Sequence, residues 1–185
     1  MTLELVGPAS EHLAGYIAAL KTGWSPNTLR PEVAQEQLQA IEADSRRFLA
    51  ELDDREGKLP PIQLPDGSKV PRLPGFYRWM WDGEFVGSIS FRWQPGTAAL
   101  PPTCLGHIGY NVVPWKQRRG YATEALRLLI PEIRFAGLPY VELTADVDNV
   151  PSQRVIAANG GVFQERFVKP SAFGGLSSFR FRIYL

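Results

Sequence analysis

A short basic turn stands between a strand-like apolar run and a helix-like repeat. Residues 116–122 read KQRRGYA, so three of these side chains are cationic, while Gly120 and Ala122 are small. The first turn of a helix leaves backbone amides unpaired and carries the positive end of the helix dipole, so anions bind there. Small side chains let a pyrophosphate approach those amides. The turn therefore predicts a phosphate-binding site.

The spacing within this turn excludes two common phosphate loops. A P-loop needs Lys-Ser/Thr after its second glycine, and a dinucleotide fold needs Gly-x-Gly-x-x-Gly; the turn has neither. It has instead Gln-x-x-Gly-x-Ala after a strand, from Gln117 to Ala122. This pattern resembles the pyrophosphate motif of the GNAT superfamily of acyl-CoA-dependent N-acetyltransferases. The resemblance extends to residues 107–110, 148–152 and 159–161, and so covers roughly the C-terminal half of the chain.

The resemblance implies acetyl-CoA as the acyl donor and no metal. In the family, a bulge in the strand before the motif frees backbone groups for the pantetheine arm and the acyl oxygen, which here implies residues 111–113. Asn149 and Ser152 match positions that approach the pantetheine, and their alternative roles are an N-cap and an ordinary first-turn residue. The residues predicted to bind acetyl-CoA are Val112, Val113, Gln117, Arg118, Arg119, Gly120, Tyr121, Ala122, Asn149 and Ser152.

Transfer of an acyl group to an amine requires that the amine lose a proton. His107 begins the strand before the motif, where many relatives have a glutamate base, and an imidazole suits that role near neutral pH. Its alternative role is that of a hydrogen-bonded core residue. Glu142 and Asp146 share a face of the next predicted strand and are the competing candidates. Their alternative roles are a solvated or salt-bridged carboxylate, or a site for a cationic acceptor.

The departing thiolate must also be stabilised or protonated. Many relatives have a tyrosine for this role seven residues after the asparagine that corresponds to Asn149, but this chain has Ile156 there. Water, an unassisted thiolate or another tyrosine such as Tyr110 must then take over. The predicted catalytic candidates are therefore His107, Glu142 and Tyr110.

The composition favours a soluble, cytoplasmic protein whose anion site is local. Lys and Arg number 20 against 19 Asp and Glu, and this net charge of +1 disfavours general binding to nucleic acid or to a membrane surface. The apolar runs are shorter than the roughly 18 residues of a membrane helix, and the N-terminus lacks signal-peptide features. The single cysteine, Cys104, is predicted to be a half-buried thiol.

The order of elements indicates a single α+β domain over residues 1–185. We expect a GNAT-like, mixed and mostly antiparallel twisted sheet of about six or seven strands, flanked by about four helices. Residues 1–75 would form the acceptor side, and residues 76–185 the acyl-CoA-binding core. Strands are predicted at 2–6, 76–81, 84–93, 107–113, 140–147, 162–169 and 178–185.

Sequence patterns typical of turns and of helix caps predict the remaining loops and helices. Asp82-Gly83 predicts a tight hairpin turn, with Phe85, Ile89, Phe91 and Trp93 on one face of the second strand. The proline-rich residues 57–75 are either a lid over the cleft or a plain connector. Helices are predicted at 11–21 with Ser10 as the cap, at 31–51, from the basic turn to a kink or an early end near Pro131, and at 151–158.

These expectations combine into one functional prediction with one alternative. The predicted function is transfer of an acetyl group from acetyl-CoA to a primary amine of a small molecule or protein, by direct attack in a ternary complex. The alternative is a non-catalytic acyl-CoA-binding or regulatory module, which the absence of the usual tyrosine favours. The sequence leaves the identity of the acceptor amine open, and it is compatible with a homodimer.

Overall fold

The computed structural model describes residues 2–63 and 68–185 as four α-helices and ten strands. The helices are α1 (Leu13–Lys21), α2 (Val33–Glu51), α3 (Tyr121–Glu132) and α4 (Val150–Ala158). The strands are β1 (Glu4–Val6), β2 (Asp53–Asp54), β3 (Ile62–Gln63), β4 (Lys69–Val70), β5 (Gly75–Trp81), β6 (Phe85–Arg92), β7 (Ile108–Val112), β8 (Tyr140–Asp146), β9 (Val162–Val168) and β10 (Ser177–Tyr184).

The predicted α+β fold with mostly antiparallel strands is confirmed, but the sheet is divided. One sheet has the order β1-β5-β6-β7 with β2 paired to β5, and the other has the order β8-β10-β9. All the pairs recorded in these two sheets are antiparallel. The two sheets meet where the His107 amide donates to the Glu142 carbonyl at 2.8 Å. Beyond that point β7 pairs with β6 alone, so a gap opens between β7 and β8.

Two apolar clusters hold the layers together. The larger lies between the sheets and helices α3 and α4, and the smaller lies between helices α1 and α2 and the first sheet. Strand β6 contributes to both, since every residue from Phe85 to Phe91 is buried. Burial of apolar surface at roughly 25 cal/mol per Å² makes this central strand the main anchor of the fold. The apolar face of α3 packs in the larger cluster, where Ala125, Leu126 and Leu129 are fully buried.

Phe85 does not share a face with Ile89 and Phe91, so that part of the hairpin prediction is wrong. The register shifts from Met80 opposite Gly87 to Trp81 opposite Phe85, which leaves one extra residue in β6. Phe85 therefore packs in the smaller cluster, while Ile89 and Phe91 pack in the larger one. A bulge reverses the alternation of side chains in this way.

The sequence placed the helices correctly but missed the cap of α1 and an interruption within α2. The predicted Ser10 cap is wrong, because α1 begins at Leu13 with His12 as an N-cap that makes no side-chain bond. Helix α2 is interrupted at Asp44, whose carboxylate accepts the Arg47 amide at 3.0 Å and so caps the second segment. Helix α3 ends one residue after Pro131, as the missing proline amide requires.

The proline-rich segment contains the short antiparallel pair β3 and β4, in which Ile62 lies opposite Val70. Residues 64–67 of that segment lie outside the described residues. Its role as a lid or a connector stays a prediction. Across the described ranges, no helix combines the length and apolar character that a membrane span requires.

Candidate active site

A cleft of about 680 Å³ runs along the C-terminal half of β6, strand β7 and the gap beside it. Its walls also include the connection between α1 and α2, both ends of α2, the start of β5, the middle of β8 and the first turn of α4. Cys104 lies on the wall and is half-buried, as predicted. The lining of the cleft includes Arg92, Gly109, Tyr110, Asn149 and Ser152.

The phosphate turn, residues 117–122, is open at the start of α3. Gly120 is the N-cap residue, at φ +82°, and no side chain caps the helix. Arg118 also has a positive φ, of 63°. A Cβ added to Gly120 would meet nothing within 4 Å, so the space in front of the turn is free. The helix leaves the amides of its first turn, residues 121–123, without intrahelical partners, which fits an anion.

Lys116 does not contribute its charge to this turn, contrary to the sequence interpretation. Its ammonium group is buried and contacts Asp82 at 2.7 Å and Glu84 at 2.8 Å. The hydroxyl of Tyr121 donates to the same Asp82 carboxylate. Burial alone would raise the pKa of Asp82, but the hydrogen bonds from Lys116 and Tyr121 outweigh it and lower the pKa. The cations left for an anion are the exposed Arg118 and Arg119.

The register of β7 decides which of its backbone groups face the gap. In an antiparallel pair, every second residue of a strand directs both its backbone N–H and its C=O to the partner strand, and the residues between them direct these groups to the other side. The Val113 amide donates to Val86 at 2.9 Å, so it faces β6. The amides at positions 108, 110 and 112 therefore point to the opposite side, where β8 lies.

The predictions for Asn111 and Val113 as backbone ligands of the pantetheine arm consequently need correction. Among residues 111–113, Val112 alone turns its backbone away from β6, and Val113 is bound within the sheet. The Val112 carbonyl accepts from the Gln117 side chain at 3.1 Å, so that side chain ties the turn to the strand. Strand β7 pairs with β6 in unbroken register, so the expected bulge in β7 is absent. The gap arises from the separation of β7 and β8 instead.

The first turn of α4 reaches the same gap. Asn149 is its N-cap and accepts the Ser152 amide at 3.2 Å. The Ser152 hydroxyl lies 2.7 Å from the hydroxyl of Tyr110. Burial raises the pKa of Tyr110 to about 12, although the bond to Ser152 lowers it in part. The structure thus brings together three of the predicted site residues.

His107 lies at the point where the two sheets meet, and its side chain is fully buried. Its Nδ1 accepts the Glu142 amide at 2.9 Å, and its Nε2 has no partner in the described structure. Burial lowers the pKa of His107 to about 4. It is not among the residues that line the cleft, so this placement does not support the predicted role as a base. The hydrogen-bonded core role fits the geometry.

The two competing carboxylates are held in ion pairs. Glu142 is buried and contacts Arg180 at 2.9 Å and Arg182 at 3.0 Å. Asp146 contacts Lys169 at 2.6 Å, and hydrogen bonds from Lys169 and Ser178 hold its pKa low against the effect of burial. The geometry supports the salt-bridged role for both. The alternating arginines of β10 were the sequence signal for the Glu142 pairs.

Ile156, at the position of the usual tyrosine, is also turned into the core. Its side chain is fully buried, and a Cβ added to Gly161 would lie 2.3 Å from it. Tyr110 is therefore the tyrosine that the structure sets beside the first turn of α4. Sequence analysis used Asp82 only as a turn residue and missed Arg92, because the contacts of both residues join parts of the chain that are far apart in sequence.

Solved structures of low sequence identity share this fold. Microcin C7 self-immunity acetyltransferase MccE, in complex with acetyl-CoA and AMP, is 15% identical with a TM-score of 0.63, covering 99% of this chain and 92% of that chain. The ribosomal L7/L12 α-N-protein acetyltransferase RimL, in complex with coenzyme A, is 15% identical with a TM-score of 0.63, covering 100% and 95%. Mycobacterium smegmatis RimJ, in complex with CoA-disulfide, is 18% identical with a TM-score of 0.60, covering 98% and 81%.

The family comparison is more direct. No curated protein is significantly similar to this chain in sequence. The profile of the acetyltransferase (GNAT) domain, however, matches residues 3–162, which include the phosphate turn, both strands beside the gap and the first turn of α4. The chain therefore belongs to the GNAT acetyltransferase family.

Proposed function

We propose that this protein transfers an acetyl group from acetyl-CoA to a primary amine by direct attack in a ternary complex. The observation that carries the proposal is the continuity of the cleft. It passes from the gap between β7 and β8, beside Tyr110 and the first turn of α4, to a polar floor on β6. A donor and an acceptor can therefore meet in one cavity without a covalent enzyme intermediate.

The donor side fits acetyl-CoA, which supplies the activated acyl group when bound. The amides at the start of α3, with Arg118 and Arg119, would hold its pyrophosphate. The free space in front of Gly120 permits that approach. The backbone amide of Val112, which faces the gap, would bind the pantetheine arm. The structures of MccE and RimL with acetyl-CoA or coenzyme A support this choice of donor.

Tyr110 is the proposed acid for the departing thiolate. Its hydroxyl lies in the gap beside Ser152, and its backbone faces the same gap. Because its pKa is raised to about 12, the hydroxyl stays protonated at neutral pH and can give a proton to sulfur. The Ser152 hydroxyl orients it. In this proposal, Tyr110 and Ser152 do the work of the tyrosine that many relatives have at the position of Ile156.

The proton of the attacking amine is proposed to leave through water. The carboxylates on the described cleft wall are Glu51 and Asp54. Glu51 binds Arg47 at 2.8 Å, and the two oxygens of Asp54 accept the amides of Lys58 and Leu59. Neither has the freedom of a base, and His107 lies outside the cleft. Acceptors with less basic amines should therefore react faster at neutral pH, since more of each is unprotonated.

The test is continuous detection of free thiol with acetyl-CoA and a panel of primary amines. We expect release that requires an amine and that falls at least about tenfold in the double variant Arg118→Glu, Arg119→Glu, whose charge repels the pyrophosphate. Arg134→Glu, an exposed change in the turn after α3, is the matched control and should behave like the unmodified protein. Thiol release that is absent for every amine, with acetyl-CoA still bound, would contradict the proposal.

That last outcome would favour the second candidate, a non-catalytic acyl-CoA-binding module. The specific observation behind it is the burial of Ile156, which leaves the usual position without a hydroxyl. Calorimetry with acetyl-CoA measures the affinity that both candidates require. Thiol release separates them.

The setting of the reaction is a further part of the proposal. A net charge of +1 supports an amine acceptor over nucleic acid or a membrane surface, and a single cysteine is compatible with the cytoplasm.

We propose a homodimer that can form through the exposed edge strand β9, where Val162, Phe163 and Val168 are exposed. Light scattering on the purified protein measures its mass, and a monomer at all concentrations would contradict the dimer.

A further inference from the structure

Arg92 is a cation on the floor of the cleft, at the end of β6. It shares the cleft face of that strand with the buried serines Ser88 and Ser90. Its guanidinium donates to the Ser90 hydroxyl at 2.9 Å. Among the described residues, no carboxylate lies within the 4.0 Å of an ion pair with it. A half-buried guanidinium without a counter-ion has its anion-binding capacity unused.

The backbone opposite is shaped to hold this side chain in place. Gly109 of β7 lies opposite Ser90, and a Cβ on Gly109 would come within 3.1 Å of the Arg92 guanidinium. The guanidinium therefore lies over the glycine, in space that a side chain would occupy. Gly109 precedes Tyr110, and neighbouring strand residues point to opposite faces, so the Arg92 guanidinium and the Tyr110 side chain lie on opposite faces of β7.

The other charged groups of the cleft do not neutralise Arg92. Gly75 lies between Asp54 and Arg92 in the sheet, opposite each of them on a neighbouring strand. Two strand spacings of about 4.8 Å each therefore separate the backbones of Asp54 and Arg92. The carboxylate of Asp54 is also engaged by backbone amides. The exposed Arg72 adds a second cation to the same wall and donates to the Pro60 carbonyl at 3.3 Å. Glu51, the other carboxylate of the described cleft wall, is paired with Arg47. Within the ranges that the structure describes, the floor therefore carries a positive charge that no ion pair compensates.

We propose that Arg92 binds an anionic group of the acceptor, so that the preferred substrate is a primary amine that also carries a carboxylate or a phosphate. This inference rests on the proposed function and adds the substrate class. The guanidinium provides a forked pair of donors for the two oxygens of such a group. It thereby orients the amine at the other end of the acceptor toward the gap beside Tyr110.

The experiment compares acceptors that differ only in charge. Thiol release is measured with linear ω-amino carboxylates of increasing length, with aminoalkyl phosphates, and with the uncharged amides of the same amino acids. We expect kcat/KM for at least one anionic series to exceed that of the matched amide by about 10- to 100-fold, as for a charged hydrogen bond. The better of the carboxylate and phosphate series identifies the anion.

Variants of Arg92 and its neighbour test whether the guanidinium causes the preference for anionic acceptors. In Arg92→Gln the ratio of kcat/KM between the anionic and neutral acceptor should collapse toward one, and Arg92→Lys should retain part of it. Gly109→Ala, which crowds the guanidinium, should also reduce the ratio. Arg166→Gln, an exposed change on β9, is the control and should keep the full ratio. Equal kcat/KM for anionic and neutral acceptors, or a ratio unchanged in Arg92→Gln, overturns the inference.

A binding measurement separates this inference from the proposed function. Calorimetry of the same acceptors with the CoA-loaded protein needs no turnover. Preferential binding of anionic amines that Arg92→Gln abolishes supports the anion site, even where thiol release is absent and the proposed function fails. Binding without such a preference overturns the anion site, even where acetyl transfer is observed.

Discussion

At the scale of single residues, the proposed chemistry of the cleft depends on one tyrosine. Tyr110 is half-buried, its hydroxyl lies against Ser152, and its pKa is raised to about 12. A general acid must be protonated before the reaction and close to the leaving group. The histidine and the carboxylates predicted from the sequence are instead held by core hydrogen bonds and ion pairs.

Replacing Tyr110 by Phe removes the proposed proton donor and keeps the ring. We expect kcat to fall by about 10²-fold or more, because general acid catalysis contributes at least that much. The dissociation constant for acetyl-CoA should change by less than about threefold, since the loss is confined to one neutral hydrogen bond. Tyr184→Phe, at an exposed hydroxyl on β10, is the control. An unchanged kcat in Tyr110→Phe would remove the residue from the mechanism.

At the scale of elements, the hairpin between β5 and β6 supports the phosphate turn. Asp82, in the hairpin turn, binds Lys116 before the phosphate turn and Tyr121 at the start of α3. Side-chain bonds therefore fix the first turn of α3 to the sheet. Rigid support of this kind lowers the entropy lost when an anion binds.

Asp82→Asn should weaken both this support and the fold. The change leaves the buried ammonium of Lys116 with the exposed Glu84 as its remaining carboxylate partner, so we expect a loss of about 2–4 kcal/mol in unfolding free energy. Affinity for acetyl-CoA should also fall. Urea unfolding measures the first effect and calorimetry the second.

The matched control for that variant is Glu84→Gln. Its carboxylate contacts the same ammonium but is 73% exposed, so its loss should cost less than about 1 kcal/mol. Equal losses in the two variants would show that Asp82 has no special part in holding α3.

At the scale of the whole molecule, two sheets diverge from a buried junction. His107 forms that junction through its amide and its imidazole, both bonded to the backbone of Glu142. The gap for the donor exists because the strands separate beyond this point. The junction must stay closed for the cleft to keep its shape, and a neutral imidazole is the form that accepts the Glu142 amide.

The stability of the fold should therefore depend on pH through His107. Its pKa is about 4 in the fold and 6.5 in an unfolded chain, mainly because burial disfavours the charged form. Below pH 6.5 the unfolded chain binds a proton that the folded one does not, so stability falls as pH drops from 6.5 toward 4. The full loss is on the order of 3 kcal/mol.

Urea unfolding of the unmodified protein and of His107→Gln, each at pH 7 and at pH 4.5, measures this effect. The unmodified protein should lose more stability between the two values than the variant, whose amide does not titrate. The difference between the two proteins isolates the histidine from the carboxylates, which titrate in both. Identical losses would contradict the assignment of a neutral, buried imidazole.

The sequence by itself determined those features whose cause is local. The open turn at residues 117–122 depends on Gly120 and on the start of a helix, and the end of α3 depends on Pro131. The asparagine cap of α4 likewise needs a partner only three residues away. A resemblance carried by such motifs identified the family correctly.

The tertiary structure alone decided which charged groups are free to act. Lys116 meets Asp82 across 34 positions, and His107 meets Glu142 across 35, so no local pattern records either contact. Such contacts bury and neutralise the groups that the sequence offers as cations and bases, whereas Arg92, opposite Gly75 and beside Gly109, has no carboxylate partner among the described residues. The physical reason is that the reactivity of an ionisable group depends on its burial and its partners, and long-range packing sets both.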